Sequence, residues 1–264
     1  MQFRDLDTRM RAFETAHDVH VPAGVHMVAR LDGRSFTRLT KELHDFETPF
    51  DARFRDCMEA TARHLMDCGF RVSFAYTQSD EISLLLAPDE TSFDRKLRKL
   101  YSVLAGEASA TFALALGAHA VFDCRISQLP DLGAVIDYFR WRSQDAARNC
   151  LSAHCYWRRR GRGESPKQAA AAIEGLDMDA KIAMLRELGE EFEALPAWQR
   201  RGSIFQWQDY EKEGFNPKTG EATKALRRRI AVDRALPSGP ELTSYFESLI
   251  ERTYKASTEV DGPT

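Results

Sequence analysis

Two aspartates, Asp32 and Asp80, lie where short apolar segments of the sequence end or turn. Asp32 follows the apolar run Val25–Leu31, and Asp80 ends a polar turn between two further apolar runs. Enzymes that transfer phosphoryl groups with two Mg²⁺ ions use carboxylates that bridge ions about 3.5–4 Å apart, and Mg²⁺ prefers oxygen ligands. If the strands that carry Asp32 and Asp80 pair, the pattern predicts such a site.

The residues next to this acidic pair extend the hypothesis. Gly33 leaves the backbone open, so its carbonyl could reach a metal ion and phosphates could approach. Glu81 follows Asp80 directly, and neighbouring side chains on a strand point to opposite faces. We therefore favour Asp80 as the metal ligand and Glu81 as an accessory catalytic residue. The alternative is an ordinary Asp-Gly turn and an ordinary polar hairpin tip.

The elements that must position these residues follow from periodicity and from turn signals. The order β-α-β-β-α-β predicts an α+β fold, a palm-like (ferredoxin-like) antiparallel sheet with helices on one face. Polymerases and nucleotide cyclases share this palm, but a fold alone assigns no function. The predicted elements are strand 25–31, helix 50–68, strand 71–76, turn 77–80, strand 81–87, helix 92–116, strand 119–126 and a helix capped by Asp131 that runs to about Trp157.

The pattern changes after Gly163, so we expect a palm-like catalytic domain at 1–157 and a C-terminal helical and hairpin lobe at 158–264, packed on the catalytic domain. Ser165-Pro166 is typical of a helix start. The remaining predicted elements are a helix to about Ile173, a helix at 177–192, strands at 203–210 and 222–232 around the turn 215–220, and a poorly ordered tail at 251–264.

Composition restricts the class of protein. The 264 residues are 43% hydrophobic and 29% charged, which is ordinary for a globular protein. No apolar run is long enough for a membrane span, and the start lacks a signal-peptide pattern; we therefore expect a cytoplasmic protein with no membrane partner. The net charge of −3 argues against a simple basic nucleic-acid-binding module.

Cysteine and arginine clusters invite two further interpretations. The five cysteines form no CxxC pair, and buried helix positions explain Cys150, His154 and Cys155 better than a zinc site does. Basic residues cluster in three places, where each run taken alone is typical of a solvated surface. These runs are Arg158-Arg159-Arg160 with Arg162, Arg227-Arg228-Arg229, and Arg95, Lys96, Arg98 and Lys99.

Several motifs in order resemble the tRNA(His) guanylyltransferase family over roughly residues 1–210. They are Arg30-Leu31-Asp32-Gly33-Arg34-Ser35-Phe36, Tyr76-Thr77-Gln78-Ser79-Asp80-Glu81-Ile82-Ser83, Phe122-Asp123-Cys124-Arg125, Asp137-Tyr138-Phe139-Arg140-Trp141-Arg142, and Arg201-Gly202-Ser203 ahead of Trp207. The resemblance implies a palm-like enzyme with two Mg²⁺ ions that extends tRNA at its 5′ end, in the 3′-to-5′ direction. ATP or GTP would first activate the 5′-monophosphate, and the 3′-hydroxyl of a nucleoside triphosphate would then attack it.

The resemblance also implies roles for individual residues. Asp32, the Gly33 carbonyl and Asp80 would hold the metal ions, and Asp51 would lie near the activating base. Basic residues would bind tRNA phosphates, and family members assemble as homotetramers. The residues implied to contact nucleotide phosphates are Arg34, Ser35, Phe36, Thr37, Ser79, Arg95, Lys96 and Lys99; those proposed to contact RNA are Arg158, Arg159, Arg160, Arg162, Arg227, Arg228 and Arg229.

The sequence departs from the family pattern in two places. Eukaryotic members carry His-Ile-Asn-Asn-Leu-Tyr-Asn where this chain has Ala147–Ala153, and Thr77 replaces a usual glycine. The pattern is more similar to the bacterial and archaeal guanylyltransferase-like branch, which is implied to repair 5′-truncated tRNAs. The alternatives are a palm-fold nucleotide cyclase or dinucleotide synthase, and a non-catalytic RNA-binding protein.

Overall fold

The computed structural model describes residues 3–215 and 222–259. Six strands form one antiparallel sheet in the order β4-β1-β3-β2-β5-β6. The predicted turn at 216–220 and the tail at 260–264 lie outside the described residues. The strands are β1 (His26–Gly33), β2 (Val72–Gln78), β3 (Glu81–Leu86), β4 (Phe122–Leu129), β5 (Ser203–Phe215) and β6 (Ala222–Asp233).

Nine α-helices lie within the described ranges, together with three short segments of tighter or wider helix. The helices are α1 (Phe3–Glu14), α2 (Phe36–Arg38), α3 (Ala52–Met66), α4 (Leu97–Leu116), α5 (Leu132–Gly161), α6 (Pro166–Ile173), α7 (Met178–Glu187), α8 (Ala197–Arg201) and α9 (Pro240–Glu259). A π-helical turn, Leu39–Leu43, continues α2, and 3₁₀ turns lie at Ser92–Arg95 and Phe192–Ala194. No described helix is long and apolar enough to cross a membrane.

The first half of the chain follows the predicted β-α-β-β-α-β order, as β1, α3, β2, β3, α4 and β4. Alternate residues of β1 face opposite sides, so Ala29 and Leu31 join the core beneath α3 and α4. Leu65 from α3 and Phe112 from α4 are fully buried in that core. The predicted palm-like fold, with these two helices on one face, is confirmed.

The other face of the sheet is also covered. Val28 and Phe74 pack against Phe139 of α5 and Phe246 of α9 in a second buried cluster. The prediction of helices on one face therefore holds for α3 and α4 but omits α5 and α9. Residues 251–259, which the sequence predicted to belong to a poorly ordered tail, continue helix α9.

The C-terminal segment adds two strands to the palm sheet. β5 pairs with β2 from Thr77↔Ser203 to Phe74↔Gln206, and β6 pairs with β5 along its length. The sheet is therefore continuous past residue 157, and the division of the chain into domains at that residue stays a prediction.

Helix starts followed the sequence signals where a single polar side chain decides them. Asp131 accepts from the Ala134 N–H at 2.8 Å, and Ser165 forms a capping box with Gln168. The predicted start at Ser92 was wrong. Residues 93–95 have positive φ angles, and since side chains disfavour that conformation inside a helix, α4 begins only at Leu97.

Candidate active site

The hairpin of β2 and β3 brings Asp80 to the end of β1. Asp32 lies opposite Glu81 in the β1–β3 pairing, and the Gly33 N–H donates to the Asp80 carbonyl at 3.0 Å. Only Ser79 and Asp80 join the two strands, and Ser79 takes a left-handed φ of 54° to make this tight turn. The two predicted metal ligands are therefore neighbours, at the end of β1 and the start of β3.

The electrostatics of this pair favour a bound cation. Burial raises the pKa of Asp80, and the nearby charge of Asp32 raises it further. Within the described part of the chain, Asp80 has no ion-pair partner, and the nearest guanidinium nitrogen to Asp32 is Arg30 Nη2 at 3.6 Å. Two repelling carboxylates beside a backbone carbonyl form an oxygen donor set that suits Mg²⁺.

Two carboxylates alone do not complete a metal site. Among residues 3–215 and 222–259 there is no group of three or more metal-ligating side chains, whether histidine, cysteine, aspartate or glutamate, that is arranged to hold a metal ion. Mg²⁺ commonly takes one or two protein carboxylates and obtains its other ligands from water and substrate phosphates. The residues Asp32, Gly33 and Asp80 thus fit a magnesium site completed by substrate.

Glu81 lies on the same face as Asp32, but its carboxylate is already bound. Arg142 of α5 donates to it at 2.7 and 2.9 Å, and Arg30 Nη2 lies 2.7 Å from it. Its side chain is 10% exposed. In this structure Glu81 therefore joins the hairpin to α5, and its predicted catalytic role stays a prediction.

Gly33 is required by packing. A Cβ atom there would lie 2.5 Å from the ring of Phe36. Phe36 is 2% exposed and contacts Phe112 and Phe122 in the core. The Phe36 ring thus packs against the end of β1 at Gly33. A small part of its surface also lines the cavity described below.

The other residues of the predicted phosphate loop have different environments. The Arg34 N–H donates to the Val121 carbonyl at 2.8 Å, so this amide is already bonded. Ser35 has a left-handed φ of 61° and precedes α2. Thr37 and Ser79 both line the cavity beside the acidic pair.

A cavity of about 360 Å³ opens beside Asp32 and Asp80, between the start of α3 and the middle of α5. Polar side chains and the hairpin form one wall, and aromatic rings form much of the remainder. A space of this size, with aromatic faces beside polar and charged side chains, suits a nucleotide. The aromatic residues that line it are Phe36, Phe46, Phe50, Phe54, Trp157 and Trp198.

Asp51 lines this cavity and also caps α3. Its carboxylate accepts from the backbone N–H groups of Arg53 at 2.6 Å and Glu47 at 2.8 Å. The Arg53 guanidinium, together with these bonds, lowers the pKa of Asp51 to about 2. Asp51 thus fixes the cavity wall, and its predicted place near an activating base stays a prediction.

The predicted triphosphate-binding cations lie elsewhere. Arg95 donates to the Val25 carbonyl at the start of β1, whereas Asp32 is near its end, about 23 Å away at 3.3 Å per residue. Lys96 pairs with Asp18 at 2.7 Å, and Lys99 lies over the Phe93 ring. The structure does not bring these three residues to the acidic pair.

The seven arginines proposed to bind RNA fall in two separate places. At the end of α5, Arg158 pairs with Glu190 and Arg159 with Glu164, while Arg160 and Arg162 donate to the backbone carbonyls of Glu164 and Glu187. On β6, Arg227, Arg228 and Arg229 are exposed, with Arg228 over Trp207 and Arg229 over Tyr210. The two groups thus lie on different elements, the C-terminal end of α5 and strand β6.

The cysteines considered for zinc are packed in apolar surroundings. Cys150 and Cys155 are fully buried in a cluster with Leu185 of α7. His154 lies between Glu190 and Gln199, at 3.0 and 3.1 Å from its ring nitrogens. Both ring nitrogens of His154 therefore have hydrogen-bond partners within the protein.

Sequence reasoning missed the roles of Arg142 and Gly202. Arg142 lies among the buried residues of α5, and an arginine on an apolar helix face signals a buried ion pair. Gly202 has a φ of 79°, and a Cβ atom there would lie 2.6 Å from the Thr77 carbonyl. Gly202 therefore allows β5 to approach the acidic hairpin.

Two family models match the chain in succession. The model described as tRNAHis guanylyltransferase matches residues 7–130, and that described as Thg1 C terminal domain matches residues 133–236. The chain belongs to the tRNA(His) guanylyltransferase family. Members of this family are named as guanylyltransferases, which are nucleotidyltransferases, and the resemblance seen in the sequence is confirmed.

Curated relatives of this family are similar over most of the chain. The probable tRNA(His) guanylyltransferase of Drosophila melanogaster is 29% identical over 205 residues, 74% of this chain and 71% of that protein. The Neurospora crassa enzyme is 27% identical and covers 88% of this chain and 80% of its own length. The chain spans 40% of the length of tRNA(His) guanylyltransferase 2 of Arabidopsis thaliana, at 28% identity.

Solved structures of family proteins have the same fold. A bacterial tRNA(His) guanylyltransferase (Thg1)-like protein in complex with ATP superposes with a TM-score of 0.71 at 28% identity, covering 94% of this chain and 99% of that one. A structure of a bacterial tRNA(His) guanylyltransferase (Thg1)-like protein in complex with GTP gives a TM-score of 0.69 at 26% identity, covering 95% of this chain and 99% of that one.

Proposed function

We propose that this family member adds nucleotides to the 5′ end of tRNA in the 3′-to-5′ direction. The observation that carries the proposal is the meeting of Asp32 and Asp80 beside an aromatic cavity, in a chain of this family. The structural neighbours bound to ATP and GTP support a nucleotide in that cavity. A cyclase, a dinucleotide synthase and a non-catalytic RNA-binding protein are not favoured by these relatives.

The reaction consists of two in-line displacements at phosphorus. An oxygen of the tRNA 5′-monophosphate attacks the α-phosphorus of ATP or GTP, and pyrophosphate leaves. The 3′-hydroxyl of the incoming nucleoside triphosphate then attacks the activated 5′-phosphate, loses its proton, and AMP or GMP leaves. Such reactions depend mainly on positioning and on neutralisation of charge.

The chain's own residues supply the positioning. Asp32, the Gly33 carbonyl and Asp80 would hold two Mg²⁺ ions, which, when bound, withdraw charge from the reacting phosphates. Arg142 and Arg30 hold Glu81 and thereby fix the hairpin that carries Asp80. The rings of Phe50, Trp157 and Trp198 give apolar faces for bases and exclude water.

The substrate range follows from the departure in α5. Asn149 and Ala153 line the cavity, and the segment Ala147–Ala153 lacks most of the stretch that accompanies tRNA(His) specificity. We therefore propose repair of several 5′-truncated tRNAs, copied from the opposing 3′ strand. We also propose that the protein is a homotetramer and that it acts in the cytoplasm. Light scattering tests the assembly: a tetramer has four times the mass of the 30.0 kDa chain.

The decisive experiment is an assay on a panel of 5′-monophosphorylated tRNAs that lack their first nucleotide, with each nucleoside triphosphate in turn. We expect Mg²⁺-dependent extension by one templated nucleotide, with pyrophosphate release. Asp32→Ala and Asp80→Ala should each lose extension while they remain folded. Extension by either variant at the wild-type rate, or a cyclic product formed without RNA, would refute the proposal.

Binding of RNA by the two arginine groups is tested separately. Replacing Arg227 and Arg229 together, or Arg158 and Arg162 together, by alanine should weaken tRNA binding and make it less sensitive to salt. Activation of the 5′-phosphate at saturating tRNA should persist. Affinity equal to wild type at low salt would show that the replaced pair does not contact RNA.

A further inference from the structure

Lys41 lies in the π-helical turn Leu39–Leu43, which follows the loop after Asp32. Wide turns of this kind are uncommon and frequently occur at functional sites. The turn places Lys41 beside α5, with its Nζ 5.9 Å from the ring centre of Tyr156 and 5.4 Å from that of Trp157. Lys41 and Trp157 both line the cavity that holds the acidic pair.

The charges around this cavity set Lys41 apart. Six carboxylates and four cationic side chains line it, so an anionic ligand meets an unfavourable balance. Arg30 and Arg142 are bound to Glu81, and Arg55 is bound to Asp56. Among the cations that line the cavity, all of them in the described ranges, Lys41 is the one without an ion pair to a carboxylate.

The contacts of Lys41 are of a kind that a phosphate can replace. An exposed cation–π contact is weaker than a charge-assisted hydrogen bond to a phosphate oxygen. Lys41 is exposed and its stem is flexible, so its ammonium can leave the two rings for an anion in the cavity. Arg95, Lys96 and Lys99, the cations expected from the sequence to do this, lie at the other end of β1.

We propose that Lys41 binds the phosphate chain of the nucleoside triphosphate that occupies the cavity beside Asp32 and Asp80, and that Tyr156 and Trp157 hold it in place before the nucleotide arrives. The inference rests on the proposed function, because it takes the cavity to be the nucleotide site. It adds the residue that distinguishes a triphosphate from a monophosphate there.

The test measures binding of ATP and of AMP to the full chain by calorimetry, in one magnesium-containing buffer. Lys41→Ala should bind ATP about tenfold more weakly, a difference of about 1.4 kcal/mol, while its affinity for AMP equals that of wild type. Lys41→Arg should restore ATP binding to within about threefold. Lys167→Ala, which removes an exposed lysine of α6 outside the cavity, is the matched control and should bind both nucleotides normally.

Two outcomes would overturn the inference. If Lys41→Ala binds ATP with wild-type affinity, Lys41 does not contact the phosphates. If this variant loses affinity for ATP and for AMP equally, Lys41 only packs in the cavity wall. The tRNA extension assay separates this proposal from the proposed function. A wild-type chain that binds ATP through Lys41 but never extends tRNA would leave the phosphate site in place and refute the polymerase activity.

Discussion

Arg142 donates two hydrogen bonds, of 2.7 and 2.9 Å, to the carboxylate of Glu81 and so joins α5 to the hairpin that carries Asp80. The Arg142 side chain is only 8% exposed. Removing one partner of a buried ion pair costs about 3–5 kcal/mol. When Arg142 is removed, Glu81 keeps Arg30 at 2.7 Å, so we expect a loss at the low end of that range.

Arg142→Ala should therefore lower the free energy of unfolding by about 3 kcal/mol, measured by urea denaturation. Adding Arg30→Ala to this variant should cause a loss larger than the sum of the two single losses, because Glu81 then has neither of its guanidinium partners. Arg148→Ala is the control: Arg148 is 62% exposed, so the change should be within about 0.5 kcal/mol. Equal effects of the two substitutions would contradict the buried pairing.

Asp80→Asn should abolish nucleotide addition and leave the fold slightly more stable. The substitution keeps the side-chain shape and removes repulsion between two neighbouring carboxylates, a gain of about 0.5–1 kcal/mol in the free energy of unfolding without Mg²⁺. Mg²⁺ should raise the melting temperature of wild type and not that of Asp80→Asn, as seen by scanning calorimetry. An equal rise in both proteins would place the ion elsewhere.

Gly33→Ala should destabilise the chain by about 1–3 kcal/mol, because the added methyl group would lie 2.5 Å from the Phe36 ring. Activity should fall as well, since Phe36 supports the strand end that carries Asp32. Gly106→Ala provides the contrast. Gly106 is inside α4 with nothing within 4 Å of its new methyl group, so this change should stabilise by about 0.5–1 kcal/mol.

The carboxylate of Asp51 should stabilise the chain in a pH-dependent manner. Its pKa of about 2 lies below the ordinary value of 3.8, so its stabilisation is complete above about pH 4 and is lost as the pH falls toward 2. Asp51→Ala should lower the free energy of unfolding by about 1–2 kcal/mol at pH 7. Denaturation at a series of pH values should show this difference shrink below pH 4; a difference that is constant down to pH 2.5 would exclude an ionised cap.

The features predictable from the sequence were those that depend on neighbouring residues or on regular pairing. Asp32 and Asp80 meet because a two-residue turn and antiparallel pairing leave the hairpin few alternatives. The Asp131 cap depends on a bond across only three residues.

Features that depend on distant parts of the chain were not predictable in this way. Arg142 and Glu81 are separated by 61 positions, and no local pattern states which carboxylate a buried arginine will meet. The three basic residues at 95, 96 and 99 were placed at the site by resemblance alone. The left-handed backbone at 93–95 sets the start of α4 and directs those side chains to the opposite end of β1.

The pairing of β2 with β5 has a consequence for synthesis of the protein. Strand β2 is one arm of the hairpin that carries Asp80, yet its outer hydrogen-bonding edge is covered by residues 203–206, which are made more than a hundred positions later. On the ribosome, a growing chain that has completed its first four strands therefore exposes an unpaired edge beside Asp32 and Asp80. A chaperone that shields this edge, or a pause before Ser203, would alter the yield of folded enzyme.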